Sequence, residues 1–364
     1  MVESERPPRP SEMVPICARS LKSCLITLSV FLGKHNSMSY DQTRVIGRGR
    51  KSSRQKSLRA SMKTLNAIGF PIADIKNLKP KHIQELVLYW VSIRLAPSTI
   101  QGNLSDLRTL STWIGKPGIV LSAKEYVSDH TAVVVKQVPT EPKGWFEREV
   151  DIAAIFREVN KLDHRVATQL LLMCCFGLRA KEAATLKSWL ADQGTHLLVT
   201  SGTKGGRERV IPITEDYQRA ILEIAKKVPE DKTKSLIPSN QLYSSWYQHF
   251  YRIMRKVGVQ RRLNVVPHGL RHSYASAVYE GITGKKPPVC GGSPDMKDDT
   301  VRLARIQVSE HLGHSRMRVT SGYIGGMYQT DPDPIPSNTD LKPSAPSLTR
   351  MEALQSIIDL TVAD

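Results

Sequence analysis

The sequence has 364 residues, 40% of them hydrophobic, which is enough for two domains of ordinary size, each with its own core. Its 52 basic residues outnumber the 34 acidic ones and give a formal charge of +18, so we expect a polyanionic partner, nucleic acid first of all. A membrane is the weaker choice, because the longest apolar run, residues 25–32, is far too short to span a bilayer and the basic residues are not confined to one amphipathic helix.

The cysteines indicate the cellular compartment. There are five of them, two are adjacent in an apolar run, and none forms a C-x-x-C pair. This usage is typical of reduced thiols rather than of a disulfide framework. The Pro-rich leader has no convincing signal-peptide cleavage site. We therefore expect a cytoplasmic protein.

Residues 1–57 are expected to form a basic, partly disordered N-terminal arm. Prolines open it, and the basic run at its end contains no acidic residue. The run is either a solvated leader or an arm that contacts DNA, and the sequence does not separate the two. The candidate DNA contacts in the arm are Arg44, Arg48, Arg50, Lys51 and Arg54.

Residues 58–118 are predicted to form a small helical DNA-binding domain. One helix carries apolar residues from Ile83 to Val91 on one face, and a second is expected to begin after Pro97. Basic side chains on the outside of these helices are either solvated or in contact with DNA. The candidate contacts among them are Arg94 and Arg108.

A proline-punctuated linker is expected at residues 119–146, and a second domain at residues 147–330. Within that domain, the segment from His164 to Phe176 is almost wholly apolar, so it must be a helix buried on all sides. Further helices are predicted at residues 147–162, 215–227, 241–257, 268–280 and 300–311.

A β-hairpin is predicted in the second domain. Residues 196–200 and 209–213 have strand character, and the Gly-rich turn between them carries Lys204 and, as a further candidate DNA contact, Arg207. The turn joins two strands and lacks the spacing of a Walker phosphate loop. Together the elements predict a mainly α protein with one small sheet, of the α+β class.

Residues 331–364 are expected to be a Pro-rich tether followed by an amphipathic helix. The helix, at residues 349–362, is too short to be stable without a surface to dock on. We hypothesise that it docks on a neighbouring subunit.

Side chains that can bind phosphate and transfer protons cluster in the second domain. Cleavage of DNA without a metal needs cations for the charge that develops on the phosphate, and Arg179 and Arg271 are the candidates. It also needs a nucleophile, and a phenol such as Tyr323 can form a phosphotyrosine. The candidates for proton transfer are Lys204, His268 and His314.

The motifs that contain these residues resemble those of the tyrosine recombinase, or phage integrase, family. In chain order they are Gly177-Leu178-Arg179-Ala180-Lys181-Glu182, Thr203-Lys204-Gly205-Gly206-Arg207, His268-Gly269-Leu270-Arg271-His272, Leu312-Gly313-His314 and Tyr323. The resemblance covers about residues 145–330, and the preceding helical segment is similar to the family's core-binding domain. It implies a two-domain clamp made of a helical core-binding domain and a mixed catalytic domain.

The resemblance also implies a role for each motif residue. Tyr323 would attack a DNA phosphate to form a 3′-phosphotyrosyl bond, and Lys204 would protonate the 5′ oxygen that leaves. Glu182 would orient Arg179, and His268 would assist proton transfer. The residues that would contact the phosphate are Arg179, His268, Arg271 and His314. Such an exchange of phosphodiesters implies no cofactor and no metal.

The partners follow from the same resemblance. They are double-stranded DNA at specific recombination sites and, on that DNA, a homo-tetramer of a chain that is a monomer or weak oligomer when free. An accessory DNA-bending or directionality protein is a further candidate partner. The expected task is the integration or excision of a mobile genetic element, in the cytoplasm and in association with the nucleoid.

Two features depart from the family's pattern. Residues 284–299 form a Gly- and Pro-rich loop that lengthens the interval between Arg271 and His314, which a protein surface can accommodate. Tyr328 is a second phenol downstream, but the spacing from His314 favours Tyr323.

Three alternatives stay open. A type IB topoisomerase-like enzyme would share the chemistry without needing a partner site, and a DNA-binding regulator could use the same scaffold without activity. His268 and His272, four residues apart, could share a metal ion, although the sequence offers no convincing third ligand.

Overall fold

The computed structural model describes residues 17–39, 45–135, 138–139, 141–203, 206–292, 298–314 and 316–326, and the single residues 352, 354, 355 and 358. Contacts within the chain separate two compact units, Met1–Lys136 and Gln137–Asp364. The described elements are helical apart from isolated bridges and one two-stranded sheet, which confirms the predicted fold class. No helix among the described residues is both long and apolar enough to cross a membrane.

The first unit is a set of helices around one apolar core. They are α1 (Ala18–His35), α2 (Arg48–Ala67), α3 (Pro80–Ser92) and α4 (Pro97–Trp113). Each contributes a buried stripe, represented by Leu28, Leu58, Ile83 and Leu104. A proline opens α3 and α4, where a backbone N–H would have no partner inside the helix.

The helical unit begins earlier than the sequence analysis predicts. The helix α1 lies wholly inside the predicted N-terminal arm and buries Cys24, Leu28 and Leu32 in the core. The predicted boundary at residue 57 falls within α2. The reason is that α2 is amphipathic, with its basic residues mostly outside and Leu58 and Met62 inside, so a charged segment still packs as a helix.

Arg54 was predicted to contact DNA, and the structure contradicts this. Its side chain is buried, donates to the carbonyl of Met38 at 3.1 Å, and lies 3.7 Å from a carboxylate oxygen of Asp106. Its guanidinium also stacks over the ring of Trp113, 5.3 Å from the centroid. A long cation can cover apolar surface and satisfy interior acceptors, so Arg54 is a structural residue here.

The second unit is built around α6 (His164–Phe176), in which every residue from Val166 to Phe176 is buried, as predicted. The other helices of this unit are α5 (Ile152–Leu162), α7 (Ala180–Thr185), α8 (Ser188–Ala191), α9 (Asp216–Lys227), α10 (Tyr243–Lys256), α11 (His268–Thr283), α12 (Asp299–His311) and α13 (Ser321–Ile324). The neighbours of α6 include α5, α7, α9 and α11, so α6 anchors the helices that carry the candidate site.

The predicted hairpin is present. Strands β1 (His196–Val199) and β2 (Arg209–Pro212) are antiparallel, with Val199 opposite Arg209. Gly202, in the turn, has φ +75°, and a Cβ there would lie 2.6 Å from the Thr185 hydroxyl. The turn therefore packs directly against α7.

Only four residues of the predicted C-terminal helix are described. Leu354 and Ile358 are buried in the core of the second unit of the same chain, which differs from the hypothesis that this helix docks on a neighbouring subunit. The spacing of four residues explains why both enter one core. The predicted tether and Tyr328 lie outside the described residues.

Candidate active site

Arg179 is placed by the start of α7. It is the N-cap residue, and its backbone N–H donates to Glu182 Oε2 at 2.7 Å. Its guanidinium donates to Glu182 Oε1 at 2.6 Å and to the carbonyl of Leu312 at 3.3 Å. The side chain stays partly exposed, so it can also reach a ligand.

Glu182 lies fully buried among three guanidiniums. Besides Arg179, it accepts a hydrogen bond from Arg209 Nη2 at 2.7 Å. Arg271 Nη1 lies 3.9 Å from the same carboxylate oxygen. Burial alone would raise the pKa of Glu182, but Arg209 and then Arg179 hold that pKa below its ordinary value. The carboxylate therefore stays ionised and aligns the cations around it.

The guanidinium of Arg271 is held in place by main-chain carbonyls. It is fully buried on α11, and its guanidinium donates to the carbonyls of Gly177 and Leu312. Gly177 ends α6 at φ +57°, and a Cβ there would lie 2.4 Å from the ring of Tyr274. A side chain at Gly177 would thus disturb a carbonyl that holds Arg271.

Tyr323 faces this cation and three imidazoles. Its hydroxyl lies 3.3 Å from His268 Nε2, and the guanidinium carbon of Arg271 lies 5.7 Å from its ring centroid. The ring centroids of His272 and His314 are 4.6 and 5.3 Å away. The site thus brings together the predicted Arg179, Glu182, His268, Arg271, His314 and Tyr323.

The imidazoles around Tyr323 are neutral at physiological pH. Desolvation by burial, then the charges of Arg271 and Arg179, lower the pKa of His268 to about 4. Burial lowers the pKa of His272 to about 3. Burial, and then the charges of Arg271 and Arg179, lower the pKa of His314 to about 3 as well. A neutral imidazole can accept a proton, so His268 is placed to take the one that Tyr323 loses on attack.

Two residues of the site, Arg209 and His272, were not among the predicted catalytic residues. Arg209 is buried at the start of β2, and its Nε and Nη1 atoms have no hydrogen-bond partner among the described residues. Burial, opposed by Glu182, lowers the pKa of Arg209 to about 10, so it stays charged. His272 Nδ1 is likewise buried without a partner. The sequence pattern did not indicate Arg209, because its partner Glu182 lies 27 residues earlier in the chain.

The other predicted residues are Lys204 and the candidate DNA contacts. Lys204 and Arg44 are outside the described residues, although the adjoining Gly202 places the hairpin turn against α7. Arg108 donates to the carbonyls of Val120 and Leu121. The predicted DNA contacts that are at least partly exposed are Arg48, Arg50, Lys51, Arg94, Arg108 and Arg207, of which Arg50 pairs with Asp106. Within the described part of the chain, no group of three or more His, Cys, Asp or Glu could hold a metal ion.

The fold and the site bring a phenol, neutral imidazoles and fixed guanidiniums together in the second unit. Two family models match this chain: phage integrase, N-terminal, at residues 48–120, and integrase at residues 147–277. The chain belongs to the tyrosine recombinase, or phage integrase, family, as the order of the motifs predicted. Tyr323 lies downstream of both matched spans.

Curated relatives agree with this membership. Tyrosine recombinase XerA of Thermococcus kodakarensis is 27% identical over 194 residues, which are 50% of this chain and 57% of that protein. Tyrosine recombinase XerC of Mesorhizobium japonicum is 24% identical over 271 residues, 70% of this chain and 76% of that protein. The chain thus spans little more than half the length of its XerA relative.

Solved structures share the fold. A lambda integrase dimer bound to a COC′ core site has a TM-score of 0.52 at 15% identity, over 86% of this chain and 81% of that one. A lambda integrase tetramer bound to a Holliday junction has a TM-score of 0.51 at 14% identity, over 84% and 80%. The Tn1549 transposon integrase with transposon right end DNA has a TM-score of 0.51 at 15% identity, over 83% and 96%.

Proposed function

We propose that this chain is a site-specific DNA recombinase that cuts and rejoins DNA through a 3′-phosphotyrosyl intermediate, in the integration or excision of a mobile genetic element. The observation that carries the proposal is the position of Tyr323. Its hydroxyl lies 3.3 Å from a neutral imidazole nitrogen of His268, and its ring lies beside the buried cation of Arg271. A phenol placed between a base and a phosphate-binding cation is arranged for attack on phosphorus.

The first step exchanges one phosphate ester for another. The Tyr323 oxygen bonds to phosphorus, the phenol proton passes to His268, and the bond from phosphorus to the 5′ oxygen breaks. Lys204 donates the proton that this oxygen needs; the packing of Gly202 against α7 supports a position of the turn near the arginines. In the second step a 5′-hydroxyl from the partner duplex gives its proton to Lys204 and its oxygen bonds to phosphorus. The bond from phosphorus to Tyr323 breaks, and His268 returns the proton to the phenol.

The cations stabilise the charge that develops on the phosphate oxygens. Arg179 and Arg271 are held by Glu182 and by the carbonyl of Leu312, so their positions are set before substrate binds. Donors that need no rearrangement at the moment of reaction contribute most to such catalysis. His314, close to the Tyr323 ring, is the further phosphate contact.

The test is a trapping assay in EDTA. Nicked duplexes from the ends of an element, or from a random pool, would let the cleaved fragment diffuse away and leave the covalent complex. We expect a protein–DNA adduct, and sequencing of its DNA identifies the site. Tight, salt-dependent binding without any adduct would contradict the proposal and favour a regulator. Relaxation of any supercoiled plasmid without joining of two sites would favour a type IB topoisomerase-like enzyme.

The proposed partners are double-stranded DNA and further copies of this chain. The similarity in fold to lambda integrase, which is seen as a tetramer on a Holliday junction, supports a homo-tetramer on DNA. The formal charge of +18 supports a polyanionic substrate. We place the protein in the cytoplasm with the nucleoid, and an accessory DNA-bending or directionality protein is the expected further partner.

The lowered pKa of His268 predicts the pH dependence of the adduct. A base acts while it is unprotonated, so activity should persist until the pH falls to about 4. Between pH 7 and pH 5 the rate should therefore change by less than about twofold, whereas an imidazole with an ordinary pKa would lose about 30-fold. Single-turnover rates at both pH values measure this, and a 30-fold fall would contradict the assignment.

Salt titrations separate DNA contacts from structural arginines. Arg48→Met and Lys51→Met each remove a surface cation, so the slope of log affinity against log salt should fall by about 0.9 for each. Arg54→Met is the matched control on the same helix. It should leave the slope unchanged and lower the free energy of unfolding by about 3 kcal/mol, because it breaks a buried charge cluster. A lower slope in Arg54→Met with an unchanged free energy of unfolding would mean that Arg54 contacts DNA after all.

A further inference from the structure

The two glycines that follow α13 are held by a buried arginine. Arg305, on α12, donates through Nη1 and Nη2 to the carbonyl of Gly325 at 3.2 Å each, and through Nη2 to that of Gly326 at 3.3 Å. These carbonyls lie two and three residues after Tyr323. The guanidinium therefore grips the main chain immediately downstream of the nucleophile.

The hydrogen bonds of the Arg305 guanidinium all go to these carbonyls among the described residues. It is fully buried, and no described carboxylate acts on it. A guanidinium away from water must use its donors on whatever acceptors the interior offers. Here those acceptors are the carbonyls of Gly325 and Gly326, so the cation and this stretch of main chain hold each other in place.

The second contact comes from the loop that lengthens this chain. The turn Pro288–Cys290 lies within residues 284–299, and the N–H groups of Cys290 and Gly292 close it by donating to the carbonyl of Pro287 at 2.8 and 3.2 Å. The turn meets Gly325, where a Cβ would lie 2.7 Å from the backbone nitrogen of Val289. Gly325 has φ +95°, so two requirements favour glycine at this position.

We propose that Arg305 and the turn Pro288–Cys290 are positioning elements for Tyr323. The Arg305 guanidinium binds the carbonyls that follow Tyr323, and the turn packs against Gly325. Together they keep the phenol beside His268 and Arg271 before DNA binds. The inference rests on the proposed role of Tyr323 as nucleophile. It also assigns a task to the turn Pro288–Cys290, which lies in the loop that the resemblance to the family left without one.

The first test is independent of catalysis. Amide hydrogen exchange of residues 321–326 in the full-length protein should be at least about tenfold faster in Arg305→Met than in wild type. Amides of α11 serve as the internal check on folding and should be unchanged. The matched control is Arg302→Met, on the same helix, whose arginine is partly exposed and pairs with Asp299. Equal exchange of residues 321–326 in wild type and Arg305→Met would overturn the inference.

The second test uses the rate of adduct formation. At saturating DNA, Arg305→Met and Gly325→Ala should each slow the adduct at least about tenfold, while the half-saturating DNA concentration changes by less than about twofold. Arg305→Lys, which retains a cation and a donor, should recover part of the rate. A loss confined to DNA affinity, or a Lys variant no better than Met, would contradict positioning and indicate a general structural role.

These tests distinguish the two proposals. Absence of an adduct with wild type would remove the proposed function, and the exchange of residues 321–326 would still decide whether Arg305 holds this segment. If Arg305→Met also changes the amide exchange of α11, the exchange of residues 321–326 is measured in Gly325→Ala instead. That variant disturbs the contact with the turn and leaves the Arg305 side chain intact. Unaltered exchange in a folded Gly325→Ala would overturn the part assigned to the turn.

Discussion

Tyr323→Phe should abolish the covalent adduct while the protein still folds and binds DNA. The change removes the one oxygen proposed to bond to phosphorus, so the rate should fall by about 10⁴-fold or more. The ring remains and keeps its contacts with His272 and Arg271. The hydrogen bond between the hydroxyl and His268 is long, at 3.3 Å, so the free energy of unfolding should change by no more than about 1 kcal/mol.

Two tyrosines serve as controls for this substitution. Tyr247→Phe alters an exposed phenol on α10 and should retain the full rate of adduct formation. Tyr328→Phe removes the other downstream phenol and should also retain it. Single-turnover rates on nicked duplexes compare the variants. An adduct that survives in Tyr323→Phe and disappears in Tyr328→Phe would transfer the role of nucleophile to Tyr328.

Glu182→Ala should cost about 3–5 kcal/mol of the free energy of unfolding, because it leaves buried guanidiniums without their carboxylate. Activity should fall as well, since the carboxylate aligns Arg179. Chemical denaturation measures the free energy of unfolding. The matched control is Glu158→Ala, which breaks an exposed pair with Lys161 and should cost less than about 1 kcal/mol.

A double-mutant cycle identifies the cause of that loss. If uncompensated charge is responsible, Arg209→Met should destabilise Glu182→Ala less than it destabilises the wild type, because it then removes an orphaned cation. Strictly additive effects would mean that Glu182 and Arg209 do not act as a pair. They lie 2.7 Å apart, so coupling of at least about 1 kcal/mol is expected.

Parts of the fold could be predicted because local patterns leave one solution. The helix α6 is apolar at nearly every position, and only burial accommodates that. The hairpin followed from strand-like runs on both sides of a Gly-rich turn. By contrast, α1 was assigned to a disordered arm. Its exposed Ile26 and Val30 are as apolar as its buried Leu28, so the helical stripe was blurred.

The candidate site was predictable in its motif residues and not in their supports. The order of the motifs located Arg179, Arg271 and Tyr323, and the structure brings all three together. Arg209 could not be found this way. On β2 the charged Arg209 is buried and the apolar Val210 is exposed, the opposite of the usual placement of these residue types, and Glu182, 27 residues earlier, is the reason. Only the folded structure brings Arg209 and Glu182 together, so no local sequence pattern predicts the pair.

The most direct test of the central claim is the chemical identity of the covalent bond. An adduct formed in EDTA can be digested with protease and nuclease, and mass spectrometry of the remaining nucleotidyl peptide then locates the attachment. We predict a nucleotide joined through its 3′-phosphate to the peptide that contains Tyr323, with a free 5′-hydroxyl on the released strand. Attachment to another residue, or through a 5′-phosphate, would contradict the mechanism.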